Sequence, residues 1–239
     1  MIRFFLGMLA FISLDLQAYS PINPAHHLFN TSILRKMEQQ IGITGNYKIG
    51  LNENWEIGTQ ALLSIGPSEN VYVRHRMFDF GQYRTVITGH LAYLNKPKGY
   101  GGFLSLNTSM PLSESSVLTG GLFNLMSIAS DQNFFQDTLN KNSIYFLTSS
   151  IDSYVSDSWS FNWVMMVPIY GYLEISNEGA DGSIELFPLL NSRYRSALSW
   201  ITSTYSATNF NVELGLLAFT VREEIGAIPY FNIFWRIPS

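Results

Sequence analysis

The sequence predicts an all-β chain: an antiparallel up-and-down transmembrane β-barrel of twelve strands, with ten strands as the alternative. Three observations carry this. Charged residues make up only 13% of the chain, against about 25% in an ordinary soluble domain. Aromatic residues reach 15%. Apolar and polar residues alternate at period two in runs of about ten residues, as in strands with one face in lipid and one in a lumen.

The first residues read as an export signal. Arg3 precedes the apolar run from Phe4 to Leu14, and Leu16-Gln17-Ala18 places a small residue at a cleavage position. That run is too short for a membrane helix, which needs about 20 residues, and no later stretch is long and apolar enough either. Cleavage after Ala18 would leave residues 19–27 as a periplasmic segment and residues 28–239 as the barrel. The chain has no cysteine, which excludes a disulfide framework, a thiolate nucleophile, a cysteine zinc site and a lipoprotein anchor. Its net charge of −4 is spread out, and without a basic face there is no nucleic-acid partner.

The clearest hairpin runs from Ile41 to Ile65. Ile41, Ile43, Tyr47 and Ile49 share one face, opposite Thr44, Asn46 and Lys48. After a turn at Leu51-Asn52-Glu53-Asn54, Trp55, Ile57, Ala61, Leu63 and Ile65 continue the apolar face. Similar hairpins open at Trp159 and Phe210, and a looser one surrounds Ser113 to Ser116. Strands are expected near 28–37, 40–50, 55–65, 70–79, 83–95, 100–110, 116–128, 143–155, 159–174, 193–206, 209–221 and 226–237. Twelve strands would put the tight turns near 51–54, 80–82, 112–116, 156–158 and 207–209 at one end, together with both termini. The long connections 131–142 and 176–192 would lie at the other. Short periplasmic turns and longer external loops are the rule for bacterial barrels.

A soluble sandwich alternates too, so the aromatics must decide. Tyr47, Trp55, Tyr83, Trp159, Phe161, Phe210 and Trp235 gather at the tight-turn end. An amphipathic ring of that kind is expected at a headgroup boundary. In these features, from about residue 28 to 237, the chain resembles bacterial outer-membrane β-barrel proteins. The resemblance implies an outer-membrane location, lipid as the surrounding partner and passage through the barrel insertion machinery. Such barrels usually finish on an aromatic residue; here Phe234 and Trp235 precede Arg236-Ile237-Pro238-Ser239.

Alternation turns Lys48, Glu56, Arg74, Arg76, Arg84, His90, Asp152, Arg195, Glu213 and Arg236 inward. Charges must avoid lipid, so these residues either pair to fill a narrow barrel or, through Arg74, Arg76 and Arg84, favour small anionic solutes. Val164, Met166 and Pro168 also turn inward, against the polar trend. His75 would face lipid, which suggests a bulge or an interfacial position. No catalytic, metal or cofactor site is expected. His90 and Ser105 are the best nucleophile–base pair, but no carboxylate is placed to orient the histidine and no Gly-x-Ser-x-Gly elbow occurs. His26-His27 lacks a third ligand. The connection 176–192 carries an apolar run from Ile184 to Leu190, which would cover the barrel mouth or extend a strand beyond the membrane. The leading function is a non-enzymatic narrow pore or structural membrane barrel. A lipid hydrolase, a surface-binding protein and a secreted sandwich are the alternatives.

Overall fold

The computed structural model describes residues 30–43, 47–59, 68–95, 98–129, 143–172, 174–176, 183–185, 197–207, 210–221 and 224–238. Their strands are β1 (Gln39–Gly42), β2 (Tyr47–Gly50), β3 (Trp55–Gly58), β4 (Ser68–Phe80), β5 (Tyr83–Asn95), β6 (Lys98–Ser113) and β7 (Ser116–Ala129). They continue with β8 (Ser143–Ser156), β9 (Trp159–Tyr172), β10 (Glu174–Ser176), β11 (Ser183–Glu185), β12 (Ala197–Ser206), β13 (Phe210–Val221) and β14 (Glu224–Ile237). Twelve close into a barrel in the order β1-β14-β13-β12-β9-β8-β7-β6-β5-β4-β3-β2, while β10 and β11 form a separate two-stranded sheet. Every neighbouring pair is antiparallel, including the closing pair of β1 with β14, where Ile41 lies opposite Trp235. The seam is closed by four residue pairs, from Gln39 opposite Ile237 to Gly42 opposite Phe234.

The expected fold class and strand number are found, but the first strands are placed differently. Residues 30–38 do not form a strand; they enter the barrel instead. The run expected as one strand over 40–50 is two, β1 and β2, folded back on each other with Gln39 opposite Ile49 and Ile41 opposite Tyr47. These pairs join residues of equal parity, so alternation continues unbroken through the reversal and cannot reveal it. The connections at 51–54, 81–82, 114–115, 157–158 and 207–209 share one end with Gln39 and Ile237, as the strand order requires.

Each proline of the long strands sits where a missing amide does least harm. At Pro111 the β6–β7 register shifts, and beside Pro168 the β8–β9 register shifts, so both lie at bulges. Pro229 has a different reason. The Ile43 amide donates to the Ile233 carbonyl at 2.8 Å, so odd-numbered residues of β14 direct their polar groups towards β1. The chain leaves β1 after Gly42 to form β2, and no β1 residue lies opposite Pro229.

The outer face is apolar. Leu91, Leu104, Leu106, Leu122, Leu147, Trp163, Met165, Ile201, Leu214 and Leu216 are all exposed, while Thr88, Ser105, Asn107, Thr119, Thr148, Ser150, Asn162 and Thr202 are buried within. A water-soluble sheet would have these faces reversed. Aromatic side chains mark both ends of this apolar surface. Near the tight turns Trp55 stacks on His75 with ring centroids 4.0 Å apart, and Trp159 lies 5.2 Å from Tyr205. Near the other end Tyr93 meets Tyr100 at 5.1 Å, and Tyr145 meets Tyr170 at 6.0 Å. Along β9, Trp159 and Tyr170 are about ten rungs apart, roughly 33 Å of strand or about 25 Å of height at a 40° tilt. That is the height of a membrane barrel's apolar band.

Candidate functional site: a lumen crossed by the N-terminal segment

The interior has two halves. Towards the loop end, Phe103, Phe123, Ile144, Phe146 and Val164 form an apolar cluster, joined by Leu125, Met166, Leu198 and Trp200. This accounts for the inward Val164 and Met166: they fill space against facing phenyl rings. Phe103 stacks on Phe123 at 4.9 Å and on His90 at 4.7 Å. Pro168 is partly buried beside them on β9.

The half nearer the tight turns is polar, and residues 30–38 run through it. Arg74, 2% exposed, donates from Nη1 to the Ser32 carbonyl at 2.8 Å and from Nη2 to the Asn30 carbonyl. Glu56, fully buried, accepts the Leu34 amide at 3.0 Å and the Tyr72 hydroxyl at 3.0 Å, and lies 3.5 Å from Arg74. The Thr31 hydroxyl bonds that of Ser109 on the far wall. At the near wall Met37 N donates to Gly50 O at 2.7 Å, Gly50 N donates to Glu38 O at 3.0 Å, and Glu38 pairs with Arg236. The segment thus crosses from β1, β2 and β14 to β6.

The inward candidates fall into three groups. Lys48, Glu56, Arg74 and Glu213 are buried, with Lys48 within electrostatic reach of the other three. Glu213 accepts the Tyr230 hydroxyl at 3.1 Å, and buried Asp152 accepts the Asn162 amide at 2.8 Å. Arg76 and Arg84 stand at the tight-turn mouth, 3.8 Å and 3.5 Å from Asp79. Arg236 is held by Glu38. Arg195 lies outside the described residues, as do His26, His27 and most of the connection 176–192. What is described of that connection is the small β10–β11 sheet, with Ile175 opposite Ile184.

Two acids escape a reading by strict alternation. Asp79 shares a face with Arg84 because the β4–β5 register shifts between Arg76 and Phe78, leaving Met77 as the extra residue. Beyond that bulge the faces exchange. Glu38 escapes that reading because the residues before it read as a wall strand but run through the lumen. Among the described residues the inward charges then balance: Lys48, Arg74, Arg76, Arg84 and Arg236 stand against Glu38, Glu56, Asp79, Asp152 and Glu213.

Of the aromatic candidates, Tyr47, Trp55, Trp159, Phe161, Phe210 and Trp235 are exposed on the outer face. Tyr83 is half-buried and borders a recess at the tight-turn mouth with Asn30, Arg84, Ser109, Asp152 and Tyr154. His75 also lies at that end, stacked on Trp55 and just before the bulge at Met77.

His90 and Ser105 both point inward without forming a pair. Neither imidazole nitrogen has a hydrogen-bond partner among the described residues, and the Ser105 hydroxyl accepts from Asn107 Nδ2 at 3.2 Å. Among the described residues there is no cluster of three or more His, Asp or Glu arranged to hold a metal ion.

The architecture is that of the outer-membrane β-barrel class. No family model matches the chain, and no curated protein matches it. Solved structures similar to it include a NanC porin, with a TM-score of 0.44 and 9% identity over 83% of this chain and 96% of that one. Another comes from work on the in-meso crystallization of membrane proteins, with a TM-score of 0.36 and 8% identity over 84% of this chain and 82% of that one. Likeness at this level transfers no function. The closed barrel rests on this chain's own strand pairing.

Proposed function

We propose that this protein is an integral outer-membrane β-barrel, without enzymatic activity, that serves as a narrow pore or a structural element of the membrane. The observation that carries the reading is the inversion of the wall, with leucines and tryptophans outside and threonines, serines and asparagines inside. An exterior of that kind is stable in hydrocarbon, where a closed barrel also satisfies its backbone. The tight-turn end, where both the first and last barrel strands terminate, is then the periplasmic face, and export by a cleaved signal fits that insertion route.

The lumen favours a narrow passage with weak charge preference, because Asp79 lies between Arg76 and Arg84 and Glu56 faces Arg74. Small anionic solutes are the cargo expected if Arg76 and Arg84 outweigh that acid at the mouth.

Two measurements test this. Unboiled protein in detergent should migrate differently from boiled protein on a gel, as closed barrels do; identical migration would remove the membrane reading. In planar bilayers a pore gives discrete steps, whereas a structural barrel gives none. Reversal potentials in a salt gradient then report charge preference, and strong anion selectivity would argue for the arginine-governed mouth.

A further inference from the structure

Residues 30–38 are held in the lumen as a peptide ligand is held. Most of their ties to the wall go through the backbone: the carbonyls of Asn30 and Ser32 to Arg74, the amide of Leu34 to Glu56, and Met37 and Glu38 to Gly50. One side chain is fully enclosed, Leu34, at 1% exposure. The wall makes room for them at Gly50, where a Cβ would lie 2.0 Å from the Arg35 carbonyl oxygen and 2.6 Å from that of Leu34. The segment joins the wall through Met37, whose φ of 63° lies in the left-handed region, a conformation that costs a residue with a Cβ roughly 1 kcal/mol or more. A strained joint beside a set of non-covalent ties is the arrangement of a part that can move.

We propose that the tight-turn half of the lumen is a peptide-binding cradle formed by Gly50, Glu56, Arg74 and Ser109, with residues 30–38 as its resident ligand. The segment is a plug that closes this end of the barrel and leaves by rotation about Met37. This rests on the barrel standing in a membrane. It adds an occupant and a gate to the pore reading.

The plug's position can be fixed in the full chain. There is no native cysteine, so Thr31→Cys with Ser109→Cys introduces a single possible bridge, replacing two hydroxyls already in contact. In vesicles, mild oxidation should link the pair in most molecules, read as altered mobility on a non-reducing gel. The oxidised protein should pass a low, steady current, and reduction should raise the mean conductance several-fold. Leu34→Pro in the same background removes the amide that Glu56 accepts and the enclosed side chain while leaving the wall intact. It should slow cross-linking at least tenfold and raise conductance without any change of redox state.

Absence of the cross-link in protein that still shifts on heating would overturn the cradle and leave the barrel standing. Equally fast linking with Leu34→Pro would also overturn it, since Glu56 would then be holding nothing. Equal conductance of the oxidised and reduced forms would exclude a plug that leaves. Loss of the heat-dependent shift in the unmodified protein would overturn the membrane reading and this proposal together.

Discussion

Replacing Arg74 by Met tests whether the charges beneath the N-terminal segment are sealed from water. Arg74 is 2% exposed, and its guanidinium lies 3.5 Å from a Glu56 carboxylate that is itself fully buried. The substitution keeps the volume approximately and removes the charge. Glu56 would retain the Leu34 amide and the Tyr72 hydroxyl, each at 3.0 Å, with Lys48 as the remaining nearby cation. Breaking a buried pair costs about 3–5 kcal/mol, while an exposed pair is worth about 0–1 kcal/mol. Lys48 offsets part of the loss, so the expected cost is about 3 kcal/mol, or roughly a hundredfold in the folding equilibrium. Adding Glu56→Gln should recover about 2 kcal/mol, because the neutral side chain no longer needs a cation. The assay is denaturant unfolding of the protein in lipid vesicles, followed through the fluorescence of its five tryptophans. A cost under about 1 kcal/mol for Arg74→Met would refute the reasoning, since it would mean that water reaches the pair and residues 30–38 do not cover it.

Five further substitutions probe the wall. Leu122→Arg, at a half-exposed position in the middle of β7, should cost about 2–4 kcal/mol on folding into vesicles, and Trp159→Arg at the tight-turn rim about 0–1 kcal/mol; equal costs would mean the outer face is not lipid-covered. Gly121→Ala should destabilise by about 1–3 kcal/mol, because its Cβ would meet Asn107 Oδ1 at 2.1 Å and Leu106 O at 2.4 Å. Gly120→Ala, with open space around it, should move the unfolding midpoint little, and the contrast between the two is the measurement. His90→Phe preserves the stack on Phe103 and removes two ring nitrogens that have no partner among the described residues, so the temperature of the heat-dependent gel shift should rise, by about 1–2 kcal/mol in stability. A fall would show that the imidazole is bonded after all.

What the sequence could and could not reveal follows from what alternation measures. It reports which face a residue occupies relative to its neighbours along one strand, so it recovers the inward Lys48, Glu56, Arg74 and Glu213 and the outward Trp55, Trp159 and Trp235. It is blind to two events. A hairpin that pairs residues of equal parity, as Ile41 does with Tyr47, preserves the pattern through the reversal, and only Gly45-Asn46 in the sequence hints at a turn there. A bulge, as at Met77, exchanges the faces without altering composition, which is why Asp79 joins Arg76 and Arg84 unannounced. Residues 30–38 are the deeper omission. They have neither strand alternation nor helical spacing because they cross the lumen rather than pairing into the wall as a strand; they need groups that can bond to the wall on several sides. Their buried members Asn30, Thr31, Leu34 and Glu38 are a mixture that no periodic rule collects. The complementary signal lies in the wall, where Arg74 and Glu56 are too deeply buried for paired lumen charges bathed in water. A buried ion pair is costly unless hydrogen bonds reach its other donors and acceptors, and here both terminal nitrogens of Arg74 and one oxygen of Glu56 bond backbone groups of a segment running through the lumen, while the Tyr72 hydroxyl takes the other oxygen.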